Sequence, residues 1–153
     1  MRQSILVAGL LVLGSLSACK GEKASPLYEA ARAHHGSELS HPIPIFSVAD
    51  LRASQAYYRD VLGFKLAWED GDPADFGAIV RSDATLFLCQ GCQGRSGAWV
   101  MIFSRDVDEL HRELKAKGAR VKQVPTLMPW KLREMHVADP DGNVIRFASS
   151  TEH

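Results

Sequence analysis

At 153 residues, 46% hydrophobic and 24% charged, the chain has the length and composition of a single globular domain that can bury a core without metal or disulfide staples. Its 18 basic and 18 acidic side chains give a formal net charge of zero. That balance excludes the strong basic bias of a nucleic-acid-binding surface, and no nucleic-acid partner is expected.

Met1-Arg2-Gln3 carries one positive charge, Ile5 to Leu13 is continuously apolar or small, and small residues lead to Cys19. A charged start, a short apolar run and a small-residue cleavage site are the anatomy of a signal peptide. The run falls well short of the roughly 20 apolar residues that span a bilayer. Leu16-Ser17-Ala18-Cys19 resembles the lipobox of bacterial lipoproteins. The resemblance implies a signal peptide over residues 1–18, cleavage before Cys19, a lipid on that cysteine and attachment to a membrane of the cell envelope. A plain secretory signal is the alternative. Lys20, where an acidic residue would favour the inner membrane, points to the periplasmic face of the outer membrane. Residues 19–41 are expected to form the lipid-anchored tether, with mild helical character over Leu27 to Ala33 and a solvated pair at His34-His35.

From Pro42 onward one pattern occurs twice. Ile43 to Val48 is strand-like, Asp50 stands where a helix N-cap belongs, Leu51, Tyr58, Val61 and Leu62 share a helical face, and Gly63 ends the helix. Trp99 to Phe103, Asp106, the face of Val107, Leu110 and Leu114, and Gly118 repeat it. Strand-like runs follow each helix: Phe64–Trp68, Gly77–Arg81 and Thr85–Cys89, then Ala119–Val124, Glu134–Ala138 and Val144–Ala148. Two βαβββ modules over residues 42–150 are the economical reading. They predict an α+β fold with a curved mixed sheet around a ligand cleft and helices on the outer face.

Alternation along each strand separates two faces. Phe46, Val48, Leu86, Leu88, Val100, Ile102, Ile145 and Phe147 share one parity and are expected beneath the helices. The other parity holds Ile43, Ile45, Ser47, Thr85, Phe87, Cys89, Trp99, Met101, Phe103 and Arg146, too apolar to face water. It is expected to line a pocket or an interface, and a homodimer is expected.

Ile45 to Leu51, Ala56 to Phe64 and the run Pro129-Trp130 through Arg133-Glu134 to Asp139-Pro140-Asp141-Gly142-Asn143 resemble the vicinal oxygen chelate superfamily of glyoxalases, bleomycin-resistance proteins and dioxygenases. The closing run leans toward the bleomycin-resistance branch. In the superfamily's enzymes a divalent ion is held at four strand positions, which fall here on Ile43, Phe87, Trp99 and Arg146. Two hydrocarbons, an indole and a cation supply none of the oxygen or imidazole donors that such ions need. No metal site, no cofactor and no catalytic residue are therefore assigned.

Asp139 to Asn143 reads as a hairpin turn that sets His136 opposite Arg146 and Glu134 opposite Ala148, with Glu134 diagonal to Arg146. These three polar side chains would either anchor a ligand in an aromatic cleft or satisfy one another. Trp99, Trp130 and Phe87 are the candidate stacking residues, with Trp130 in a Pro-flanked loop segment (Pro125 to Pro129) favoured as a contact and Phe87 equally a core residue. Cys89 and Cys92 form CxxC at a strand end; outside the cytoplasm a disulfide is the default. The functional expectation is a metal-free lipoprotein that binds an unidentified small molecule. The alternatives are a metal-dependent lyase or dioxygenase of the same superfamily, and a structural envelope protein that uses the cleft face as a subunit interface.

Overall fold

Both helices begin where a carboxylate can meet orphaned backbone donors. The computed structural model, which describes residues 41–151, places Asp50 as the N-cap of α1 (Leu51–Asp60), accepting from the Ala53 N–H at 2.9 Å. Asp106 does the same for α2 (Val107–Ala116), accepting from the Asp108 and Glu109 N–H groups. Gly63 and Gly118 follow the helices at φ +72° and +81°, left-handed conformations that glycine adopts without steric cost. The expected signal peptide, the lipobox at Cys19 and the tether up to residue 40 lie outside the described residues.

The strands are β1 (Ile45–Val48), β2 (Lys65–Gly71), β3 (Ala74–Arg81), β4 (Ala84–Gln90), β5 (Trp99–Phe103), β6 (Arg120–Leu127), β7 (Leu132–Ala138) and β8 (Val144–Ser150). They form two four-stranded sheets of identical topology, β1-β4-β3-β2 and β5-β8-β7-β6. In each the first and last strands pair in parallel and the other pairs are antiparallel. This is the expected pair of βαβββ modules. The first strand begins at Ile45 rather than Ile43, because Pro42 and Pro44 have no N–H to give a ladder. Pro125, expected in a loop, lies inside β6; that strand is a sheet edge, where a missing donor faces outward.

One face of each sheet feeds a common core. Phe46, Val48, Leu86 and Leu88 of the first sheet and Met135, Val137, Ile145 and Phe147 of the second join Leu51, Tyr58, Leu110 and Leu114 of the helices in one buried cluster. Val100 and Ile102 pack against it partly buried. Because both sheets spend the helix-covered face on the same core, their other faces look away from it. The expected cleft therefore becomes two open faces on one chain.

The modules are also tied by polar groups from the β7–β8 turn. Asp141 accepts from the Ala49 N–H and the Ser54 hydroxyl, each at 2.9 Å. Asn143 Nδ2 donates to the Ser47 carbonyl, and the Tyr57 hydroxyl donates to the Ala138 carbonyl. Buried Asp139 accepts from the Tyr58 hydroxyl at 3.1 Å and from the backbone and side chain of Asn143. Burial raises the Asp139 carboxyl pKa against the opposing pull of those hydrogen bonds, and burial with the adjacent carboxylate raises that of Tyr58.

Candidate functional site on the open face of the second sheet

The β7–β8 ladder sets the site. His136 pairs with Arg146 and Glu134 with Ala148, as the turn length requires, so all three polar side chains leave the sheet on the open side. Glu134 is 0% exposed, an unusual position for a carboxylate. Both of its oxygens are engaged. Oε1 accepts from the Trp130 indole N–H at 2.5 Å, and Oε2 accepts from Arg146 Nε at 2.5 Å. The Arg146 guanidinium also lies 5.2 Å from the Trp130 ring centroid, within range of a cation–π contact. An indole N–H needs a partner when covered, and the tight turn before β7, with Lys131 at φ +64°, carries the indole back over the sheet to reach one.

His136 stands beside this triad. Its ring meets the Trp99 ring edge-on, with centroids 5.2 Å apart, and its Nε2 is buried without a hydrogen-bond partner among the described residues. Desolvation, then the nearby Arg146 charge, lowers its pKa below the ordinary 6.5, so at neutral pH the imidazole is uncharged. Trp99 and Trp130 are 61% and 52% exposed, and Met101 and Phe103 continue the apolar face along β5. The face thus offers two accessible indoles over a centre whose charges cancel.

Phe87 is not part of this group. It projects from the open face of the first sheet, 8% exposed beneath Trp68 and Phe76, whose ring centroids lie 5.1 and 5.4 Å from it. The sequence carried a signal for this trio: in the β2–β3–β4 register Trp68 opposes Ala78 and Ala78 opposes Phe87, which puts Trp68 on the same face. Cys89 follows on that face, fully buried, and its Cα lies 5.8 Å from that of Cys92, a separation that a disulfide spans. Cys89 Sγ also accepts from the Gln93 N–H at 3.1 Å.

The four positions at which the resemblance would place a divalent ion hold Ile43, Phe87, Trp99 and Arg146. None presents a lone pair, and Arg146 brings a positive charge already bonded to Glu134. Glu134 has no oxygen to spare. No group of three His, Cys, Asp or Glu side chains converges among the described residues. The donor set does not fit a metal.

A family profile described as Glyoxalase/Bleomycin resistance protein/Dioxygenase superfamily matches residues 39–147. No curated protein sequence matches the chain. Among solved structures, TioX from Micromonospora sp. ML1 is similar with a TM-score of 0.64 at 21% identity, over 72% of this chain and 98% of that one. A bleomycin resistance determinant encoded on the transposon Tn5 gives 0.64 at 22%, over 74% and 99%. A bleomycin-binding protein complexed with bleomycin gives 0.63 at 22%, over 73% and 99%. At these identities the likeness is one of fold.

Proposed function

Because the chain belongs to the glyoxalase/bleomycin resistance protein/dioxygenase superfamily, we propose that it is a binding module which holds a small molecule without metal chemistry. The observation that carries this reading is the buried Glu134 carboxylate, saturated by Trp130 and Arg146 beneath an exposed aromatic face. A carboxylate so engaged is a poor general base and a poor metal ligand, but it is a rigid support that fixes one indole and one guanidinium. A flat ligand would stack on Trp99 and Trp130 and meet polar groups of Arg146 and His136. That a protein of this fold was solved as a bleomycin complex supports a small-molecule ligand, without naming it.

The complete site is a homodimer in this reading. The second sheet's open face, with Trp99, Met101 and Phe103 uncovered, is too apolar to remain in water. A second copy would bring the first sheet's Phe87, Trp68 and Phe76 across it and close a cleft. The protein would work in the cell envelope, anchored through lipid on Cys19, with Cys89 and Cys92 disulfide-bonded.

A thermal-shift screen of small planar compounds against the domain tests the binding reading. Trp99→Ala and Trp130→Ala are each expected to abolish any shift found in the parent. A shift that survives both substitutions removes this face from the site. Stoichiometric nickel, zinc, iron or manganese in the purified protein would overturn the metal-free assignment and favour the lyase or dioxygenase alternative.

A further inference from the structure

The two cysteines among the described residues stand where the first module leads into the second, and they are exposed unequally. β4 ends at Gln90 and β5 begins at Trp99, so residues 91–98 form the connection. Cys89 is 0% exposed near the end of β4, whereas every residue from Gly91 to Gly97, Cys92 included, is exposed. Cys89 pairs with Phe76 across the β3–β4 ladder, which places it on the sheet face of the aromatic trio and not in solvent. Side chains hold both ends of the connection. Gln90 Oε1 accepts from the Leu51 N–H at 2.7 Å, and Asn143 Oδ1 accepts from the Gly97 and Ala98 N–H groups, each at 3.1 Å.

We propose that Cys89–Cys92 is a thiol–disulfide exchange site for a low-molecular-weight thiol, in which Cys92 is the sulfur attacked and Cys89 the sulfur released. The proposal rests on the disulfide between them put forward above. Exchange requires a thiolate to reach one sulfur of the bond, so access selects which one. Cys92 offers a path from solvent and Cys89 does not. An incoming RS⁻ bonds to Cys92 Sγ, and the Cys89–Cys92 bond breaks with its electron pair going to Cys89. Burial alone makes Cys89 a poor thiolate. The Gln93 N–H, which donates to Cys89 Sγ at 3.1 Å, offsets that cost by meeting the negative charge as it develops. A second thiolate then attacks the R sulfur, releases RSSR and leaves Cys92 as a thiolate. Two thiols have thereby given two electrons to the protein pair, and the protons they lost return to Cys89 and Cys92. In the reverse direction Cys92 is the nucleophile and Cys89 resolves the mixed disulfide. The roles follow burial and not chain order. Because the cysteines are three positions apart, the bond closes a short loop and constrains little of the unfolded chain. Gln90 and Asn143 still hold the ends of the connection when the bond opens, so both sheets stay in place.

Reduced glutathione added to the folded protein, followed by a quench with N-ethylmaleimide and tandem mass spectrometry, tests the assignment. At early times the glutathione adduct is expected on Cys92 and the maleimide on Cys89, in about ten-fold excess over the reverse arrangement. In the fully reduced protein, N-ethylmaleimide is expected to label Cys92 about ten-fold faster than Cys89, with circular dichroism unchanged from the oxidised form. A glutathione adduct chiefly on Cys89, equal labelling of the two cysteines, or a bond that glutathione opens only after unfolding in guanidinium overturns the proposal. Maleimide on both cysteines before any thiol is added shows instead that the disulfide does not form, which overturns that reading together with this one.

Discussion

Replacing Arg146 by methionine isolates the energetic role of the buried carboxylate. In the parent, Glu134 is fully buried and Arg146 is 31% exposed, so the pair is solvent-screened from one side only. Removing the cation leaves the carboxylate with the Trp130 N–H as its remaining side-chain partner among the described residues. Breaking a buried ion pair from one side costs about 3–5 kcal/mol, and the exposure of Arg146 discounts this to about 2–3 kcal/mol. For a domain of this size that is a loss of roughly 8–20 °C in Tm. Pairing Arg146→Met with Glu134→Leu removes the stranded charge as well, and the double variant should return to within about 1 kcal/mol of the parent, since apolar replacement of a buried pair is often neutral. Urea and thermal unfolding of the parent, both single variants and the double variant close the cycle. The reasoning is refuted if Arg146→Met costs less than about 0.5 kcal/mol, or if the double variant is no more stable than Arg146→Met.

The lowered His136 pKa makes a second prediction. The unfolded chain takes up a proton near pH 6.5 while the folded chain resists it, so this contribution to stability is present above that value and is lost as pH falls below it. His136→Gln should flatten the fall in Tm between about pH 7 and pH 5, and an unchanged slope would remove His136 as its source. Asp141→Ala deletes the acceptor for Ala49 and Ser54 and should cost about 1–2 kcal/mol by chemical denaturation. A loss within about 0.3 kcal/mol would mean that the turn docks through its other contacts alone. Trp99→Asp places a charge on the proposed dimer face at a side chain 61% exposed. Sedimentation should show a monomer with unchanged circular dichroism, whereas an unaltered dimer would move the interface elsewhere.

Local rules made much of this fold readable. Asp50, Asp106, Gly63 and Gly118 mark helix ends through interactions within a turn of the chain, and the length of Asp139–Asn143 alone sets His136 opposite Arg146. Strand parity identified Phe46, Leu88, Ile145 and Phe147 as core because side-chain direction alternates wherever a strand is placed. Parity could not say where the two opposite faces would go. That was decided by the packing of both modules onto one core, which separates Phe87 from Trp99, Trp130 and Arg146. Nor could spacing reveal that Trp130 turns back to bond Glu134, because that contact depends on a turn conformation at Lys131 and on the depth of the carboxylate. Local order was thus enough for the two βαβββ modules, the register of β7 on β8 and the lack of lone-pair donors at Ile43, Phe87, Trp99 and Arg146, all of which follow from neighbours along the chain or across a short turn. The packing of separate modules settled the rest: which side chains share a face in space and what each buried polar group touches.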